Sequence, residues 1–159
     1  MAVAKRPETR FRAQLSVALR GCGAKSQPIE SEGTGEGIPD LYVVHVGMAM
    51  WIECKHIAAD WPCQRKVPFR KFQYPWLMEN DRKGGFSFIA VRYLNGYLFQ
   101  NVSTLDSVTM RPSPTASLFL SKMDGELVLK WLHTFRSVTI SDPVYQGHDG
   151  RRPGCGSLC

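Results

Sequence analysis

Apolar positions first recur at helical spacing in Phe11, Leu15, Ala18 and Leu19, behind a proline at position 7 and ahead of Gly21 and Gly23. That pattern predicts a helix over about 7–20, opened by proline in its first turn and stopped by glycine. KSQPIES (25–31) reads as a short edge strand, since Pro28 is tolerated only at an edge or a bulge. The glycine-rich SEGTGEG is a loop, and PDLYVVHV and MAMWIECK after it are both rich in β-branched and aromatic residues around a turn at Gly47, which predicts a hairpin. Residues 56–69 have two prolines and no period and read as a loop. A second helix is expected from about Lys71 to Arg82, with Phe72, Trp76 and Leu77 as its stripe and Gly84-Gly85 as its stop. Pro75 fits only near that helix's start. GFSFIAVRY is a strand, Asn95-Gly96 a hairpin turn into YLFQ, and ELVLKWLHTF an amphipathic helix. The order is that of an α/β protein. One domain over 1–140 is expected, with a core over about 7–100, a helical extension over about 103–140 and a flexible tail over 141–159.

Composition narrows the class. With 159 residues, 43% of them hydrophobic, the chain can build a core. The apolar run Leu41 to Trp51 is interrupted by His45 and Gly47 and is too short to cross a bilayer. The first residues carry charge but no apolar h-region, so a reducing cytoplasm is the expected location. Five cysteines, without paired spacing, are expected as free thiols. His148, Cys155 and Cys159 lack the fourth ligand and the spacing of a zinc site.

The net charge of +6 points to an anionic partner, and its distribution says more. Residues 1–30 and 64–83 each carry a net +4, whereas 31–63, with Glu32, Glu36, Asp40, Glu53 and Asp60 against Lys55, carries −4. Enzymes that cut a polyanion with a divalent cation need that contrast, carboxylates for the metal and cations for the phosphates. A hairpin turning about Gly47 sets Asp40 across from Cys54 and beside Glu53. Strand alternation puts Glu53 and Lys55 on one face with Trp51, and Cys54 on the other with Ile52 and Met50. Two carboxylates and a backbone carbonyl, that of Cys54, are hard oxygen ligands suited to Mg²⁺, and a lysine beside them can orient a water and stabilise charge on a phosphate. A solvated strand face with an ion pair is the plainer reading of Glu53 and Lys55, as a turn residue is of Asp40 and a strand-ending residue of His56.

Pro39-Asp40 followed by Glu53-x-Lys55 resembles the PD-(D/E)xK nuclease superfamily, with its restriction-endonuclease-like α-β-β-β-α-β core and mixed central sheet flanked by helices. Within it the chain is most similar to VRR-NUC-type and phage-encoded nucleases related to Holliday-junction resolvases, through Glu8, Gly37, Trp51, Gln73, Trp76 and Gly84-Gly85. The resemblance covers roughly 7–100. It implies that Asp40 and Glu53 bind Mg²⁺ (with Mn²⁺ able to substitute) beside the Cys54 carbonyl, that Lys55 assists the attacking water, and that Gln73 and Glu8 support the site. Glu30 is a further candidate ligand or simply exposed. Arg10, Arg12, Lys66, Arg70 and Lys71 are candidate DNA contacts. The implied activity is metal-dependent cleavage of branched DNA by a homodimer, in a bacterial host's cytoplasm if the source is a phage. A restriction- or repair-type nuclease and a non-cleaving DNA-binding or partner-binding module are the alternatives.

Overall fold

A computed structural model describes residues 6–29, 37–63 and 65–139, except the side chains of 136–139. Glu30, most of the glycine-rich loop and the tail with His148, Cys155 and Cys159 lie outside the described residues. The elements run α1 (Pro7–Gly21), β1 (Lys25–Pro28), β2 (Leu41–His45), β3 (Met48–His56), α2 (Gln73–Arg82), β4 (Phe86–Tyr93), β5 (Gly96–Asn101), a 3₁₀ turn (Val102–Thr104), β6 (Ser117–Leu120) and α3 (Gly125–Thr139). The six strands form one sheet in sequence order, antiparallel throughout except for the parallel pair β3 and β4, which α2 connects. This is the expected α-β-β-β-α-β core in a mixed sheet. No helix among the described residues is long and apolar enough to cross a membrane.

Helices cover both faces. Against one face, α1 seats Phe11, Leu15 and Leu19 and α3 seats Val128, Leu129 and Leu132, over Met50, Ile52 and Cys54 of β3 and Phe88 and Ala90 of β4. Against the other, Leu77 of α2 joins Ile57, Val67, Ile89, Val91 and Leu98. The second face of β3 therefore abuts an apolar layer, although it carries Glu53 and Lys55. Helix α1 ends in a glycine cap: Gly23 adopts φ +86°, its N–H donates to the Arg20 carbonyl, and the Ala24 N–H donates to Leu19. In α2, Pro75 is third in the helix, where its missing N–H breaks no helical bond.

Two turns differ from expectation by one residue. The first hairpin turns on the pair Val46-Gly47, because His45 pairs with Met48 and Leu41 with Ile52. Carried one pair further, that register sets Asp40 against Glu53, not Cys54. A two-residue loop with positive φ at both positions (46° and 71°) matches the twist of its strands, so hairpin geometry holds even the β-branched Val46 in a conformation it disfavours. In the second hairpin Tyr93 pairs with Gly96, so the turn is Leu94-Asn95 and the glycine lies inside the ladder. Its role there is steric: a Cβ at Gly96 would stand 2.4 Å from the Leu120 carbonyl oxygen of β6. The segment expected to be a helical extension includes this edge strand, and Cys22, Cys54 and Cys63 are free thiols as expected. Gly96→Ala should destabilise the protein by about 1–3 kcal/mol in urea unfolding, the usual cost of forcing an extra methyl into packed structure. An unchanged midpoint would show that β6 does not press on that position.

Candidate active site

Glu53 and Lys55 follow one another on the α2-facing side of β3, opposite Ile89 and Val91 of β4 in the ladder. Neither is solvated: their exposures are 0% and 2%. The Lys55 Nζ lies 2.7 Å from Glu53 Oε1 as an ion pair and donates a 2.9 Å hydrogen bond to Gln73 Oε1. Gln73, buried as the first residue of α2, accepts a second 2.9 Å bond on the same oxygen from the Arg70 N–H. The loop entering α2 thus fixes the glutamine that holds the lysine. Glu53 Oε2 is buried with no hydrogen-bond partner among the described residues.

Asp40 reaches the same place from the start of β2. Its Oδ2 accepts the Cys54 N–H at 3.0 Å and its Oδ1 lies 3.7 Å from Arg12 Nη1 of α1. Strand β2 ends its pairing at Ile52, so β3 has no strand partner on that side from Glu53 onward. The N–H and C=O of one strand residue point the same way, so the Cys54 carbonyl faces the edge where Asp40 stands. The ladder between β1 and β2 continues through Ile29 N–H to the Asp40 carbonyl (2.8 Å), and Arg12 also donates to the Ile29 carbonyl (3.2 Å). Arg12 therefore clamps both ends of the loop between β1 and β2.

These surroundings disfavour negative charge. Burial, and next the Asp40 carboxylate, raise the Glu53 pKa from 4.5 to about 7 against the opposing pull of Lys55. Burial also raises the pKa of Asp40, offset in part by the Cys54 N–H, Lys55 and Arg12. Glu8, half-buried in the first turn of α1, adds like charge to both. An orphaned carboxylate oxygen, a second carboxylate and a carbonyl at one edge form an all-oxygen donor set, the kind a hard divalent cation takes while keeping waters in its other positions. The residues present fit such an ion. Among the described residues no three His, Cys, Asp or Glu side chains form a metal-binding group.

Gly37 adopts φ +104°, and a Cβ there would meet the Phe72 carbonyl oxygen at 2.7 Å, so glycine lets the chain before Asp40 lie against the start of α2. Trp51 and Trp76 pack edge to face at 5.1 Å between β3 and α2. Of the candidate DNA contacts, Arg10, Lys66, Arg70 and Lys71 are exposed, with Lys71 Nζ 5.0 Å above the Phe72 ring, while Arg12 is engaged with Asp40. The engagement of Arg12 was missed, although its spacing four residues after Glu8 places both on one helix flank.

No protein-family model and no curated protein matches the chain. Among solved structures, Archaeoglobus fulgidus Hjc, a Holliday junction resolvase from an archaeal hyperthermophile, is similar with a TM-score of 0.56 at 16% identity, over 77% of this chain and 98% of that one. The chain has that resolvase's fold, a mixed sheet flanked by helices.

Because Glu53 binds its proton more tightly folded than unfolded, the stability this protonation contributes is fully present below pH 4.5 and is lost as pH rises through about 7. With chelator present, the stability of Glu53→Gln relative to wild type should therefore rise by roughly 3 kcal/mol between pH 4.5 and pH 8. Urea unfolding across that range checks it. A difference that does not vary with pH would mean that Glu53 is not buried as a charge.

Proposed function

We propose that the protein is a divalent-metal-dependent endonuclease that cleaves branched DNA. The observation that carries this reading is the buried Lys55, held between Glu53 and Gln73 and beside the orphaned Glu53 oxygen. A binding module has no use for a desolvated acid and base kept at such cost. The resolvase fold supports branched DNA as the substrate, and the sequence motif supports the finer affinity to VRR-NUC-type and phage nucleases, a homodimer and action in a bacterial cytoplasm.

Asp40, Glu53 and the Cys54 carbonyl would hold Mg²⁺, with Mn²⁺ as a substitute. When bound, the ion supplies Lewis-acid polarisation of the phosphate and acidifies a water. Lys55 presents its ammonium next to that position, where it orients the attacking water and offsets the negative charge that accumulates on the phosphate. Gln73 accepts from Lys55 and so fixes its direction, while the Arg70 N–H fixes Gln73. Arg12 holds Asp40 in register with Glu53. Glu8 supports the site from α1.

The test is cleavage of a four-way junction, linear duplex, single strand and supercoiled plasmid, with Mg²⁺ or with chelator. Wild type should cut the junction preferentially and only with metal. Lys55→Ala should lose about 10²–10³-fold in rate, the scale for deleting one transition-state charge partner. Folded wild type that cuts none of these, or a Lys55→Ala variant that cuts equally well, overturns the proposal. Equal cutting of linear duplex would instead indicate a restriction- or repair-type nuclease.

A further inference from the structure

We propose that a second site on α1, a cleft lined by Pro7, Arg10, Phe11, Gln14, His56 and Arg92, seats a DNA backbone phosphate away from the cleavage point. This rests on the reading of the protein as a DNA nuclease. The cleft encloses about 270 Å³ and lies on the opposite side of Phe11 from Glu8 and Arg12. Helical spacing separates the two flanks, Arg10 and Gln14 turning one way and Glu8 and Arg12 the other. His56 directly follows Lys55 on β3, but alternation sends it to the α1 face, and Arg92 is its partner in the parallel ladder.

The lining has one sign of charge. Its charged side chains are two arginines, with no carboxylate, and the His56 ring stands beside them as a further hydrogen-bonding group. Arg92 is pre-oriented: its Nη1 donates to Gln14 Oε1 (3.1 Å) and to the Tyr97 hydroxyl (2.9 Å), and its guanidinium lies 5.3 Å from the Tyr97 ring centre. Its Nε and Nη2 donate to nothing among the described residues, which leaves one edge of the planar fork for a phosphate. Tyr97 is in turn held against Phe11 at 5.6 Å. An arginine anchored by one nitrogen and open at the others costs little further ordering when an anion arrives, whereas a solvated surface arginine must be immobilised first. A phosphate here would draw the strand across the N-terminal turns of α1, with Glu8 and the catalytic edge on the far flank.

The experiment is the salt dependence of binding to a four-way junction with chelator present, read by fluorescence anisotropy, for wild type, Arg10→Ala, His56→Gln, the Arg10→Ala/Arg92→Gln pair and Arg20→Ala. Losing one phosphate contact should make the slope of log K against log salt shallower by about 1 in the double variant and weaken binding several-fold. Arg20→Ala removes the same single charge as Arg10→Ala, from the far end of α1, and should leave the slope unchanged. Arg10→Ala and His56→Gln break no side-chain hydrogen bond among the described residues, so a smaller slope shift in Arg10→Ala and weaker binding in His56→Gln are the reading if the double variant does not fold. Wild type that binds while these variants match it in slope and affinity overturns the subsite and leaves the nuclease reading standing. Wild type that binds no DNA overturns both. Inorganic phosphate that shifts the His56 ring resonances while the variants bind DNA normally would assign the cleft to a free anion and overturn the proposal.

Discussion

The site depends on the burial of the Glu53 and Lys55 pair. Taking both charges out of water costs several kcal/mol per ion before their attraction is counted, and at 2.7 Å the pair returns only part of that unless the remaining polar atoms are satisfied. Lys55 is satisfied, by Gln73. Glu53 is not, since Oε2 has no partner and Asp40 opposes its charge. The protein thus holds a carboxylate where carboxylates are unstable, beside a second acid that makes matters worse. A divalent cation held there would relieve both at once.

The rest of the fold makes that burial possible. Strand β3 is central, with β2 on one side and β4 on the other, and its faces divide the work. Met50, Ile52 and Cys54 pack into the α1 and α3 layer, and that packing holds the strand while Glu53 and Lys55 occupy the opposite face. The parallel crossover through α2 then carries Gln73 back over those residues. Because β2 stops pairing at Ile52, the edge of β3 opens where Asp40 arrives. Gly37 and the Trp51 and Trp76 contact set how closely the chain before β2, the sheet and α2 approach one another.

Much of this was legible in the sequence, and the failures have local causes. The helices over 7–21 and 73–82 and the first hairpin are visible because period and stop signals agree there. The face assignment on β3 also holds, since alternation survives a shift of the turn. The turns themselves were misplaced by one residue, because glycine was taken to mark a turn centre. Val46 shares its turn with Gly47, and Gly96 is a glycine to admit β6. Strand β6 was missed because four half-buried residues, Ser117–Leu120, after a polar stretch carry too little period. Burial was the larger omission. Charges on alternate strand positions look solvated in any sequence, and only the α2 layer shows that these are not. The pairing of Arg12 with Asp40 and the bracing of Arg92 by Gln14 and Tyr97 join residues far apart in the chain, which local pattern cannot reveal.

The unpartnered Glu53 Oε2 and the Asp40 carboxylate are the pair proposed to hold a cation. Titration of the metal-free protein with Mn²⁺, followed by electron paramagnetic resonance at pH 8, tests this most directly. Wild type should bind saturably, and Glu53→Gln and Asp40→Asn should each lose at least about tenfold in affinity, the scale on which even residues that only support metal ligands act. Undiminished Mn²⁺ binding in Glu53→Gln would contradict that pairing.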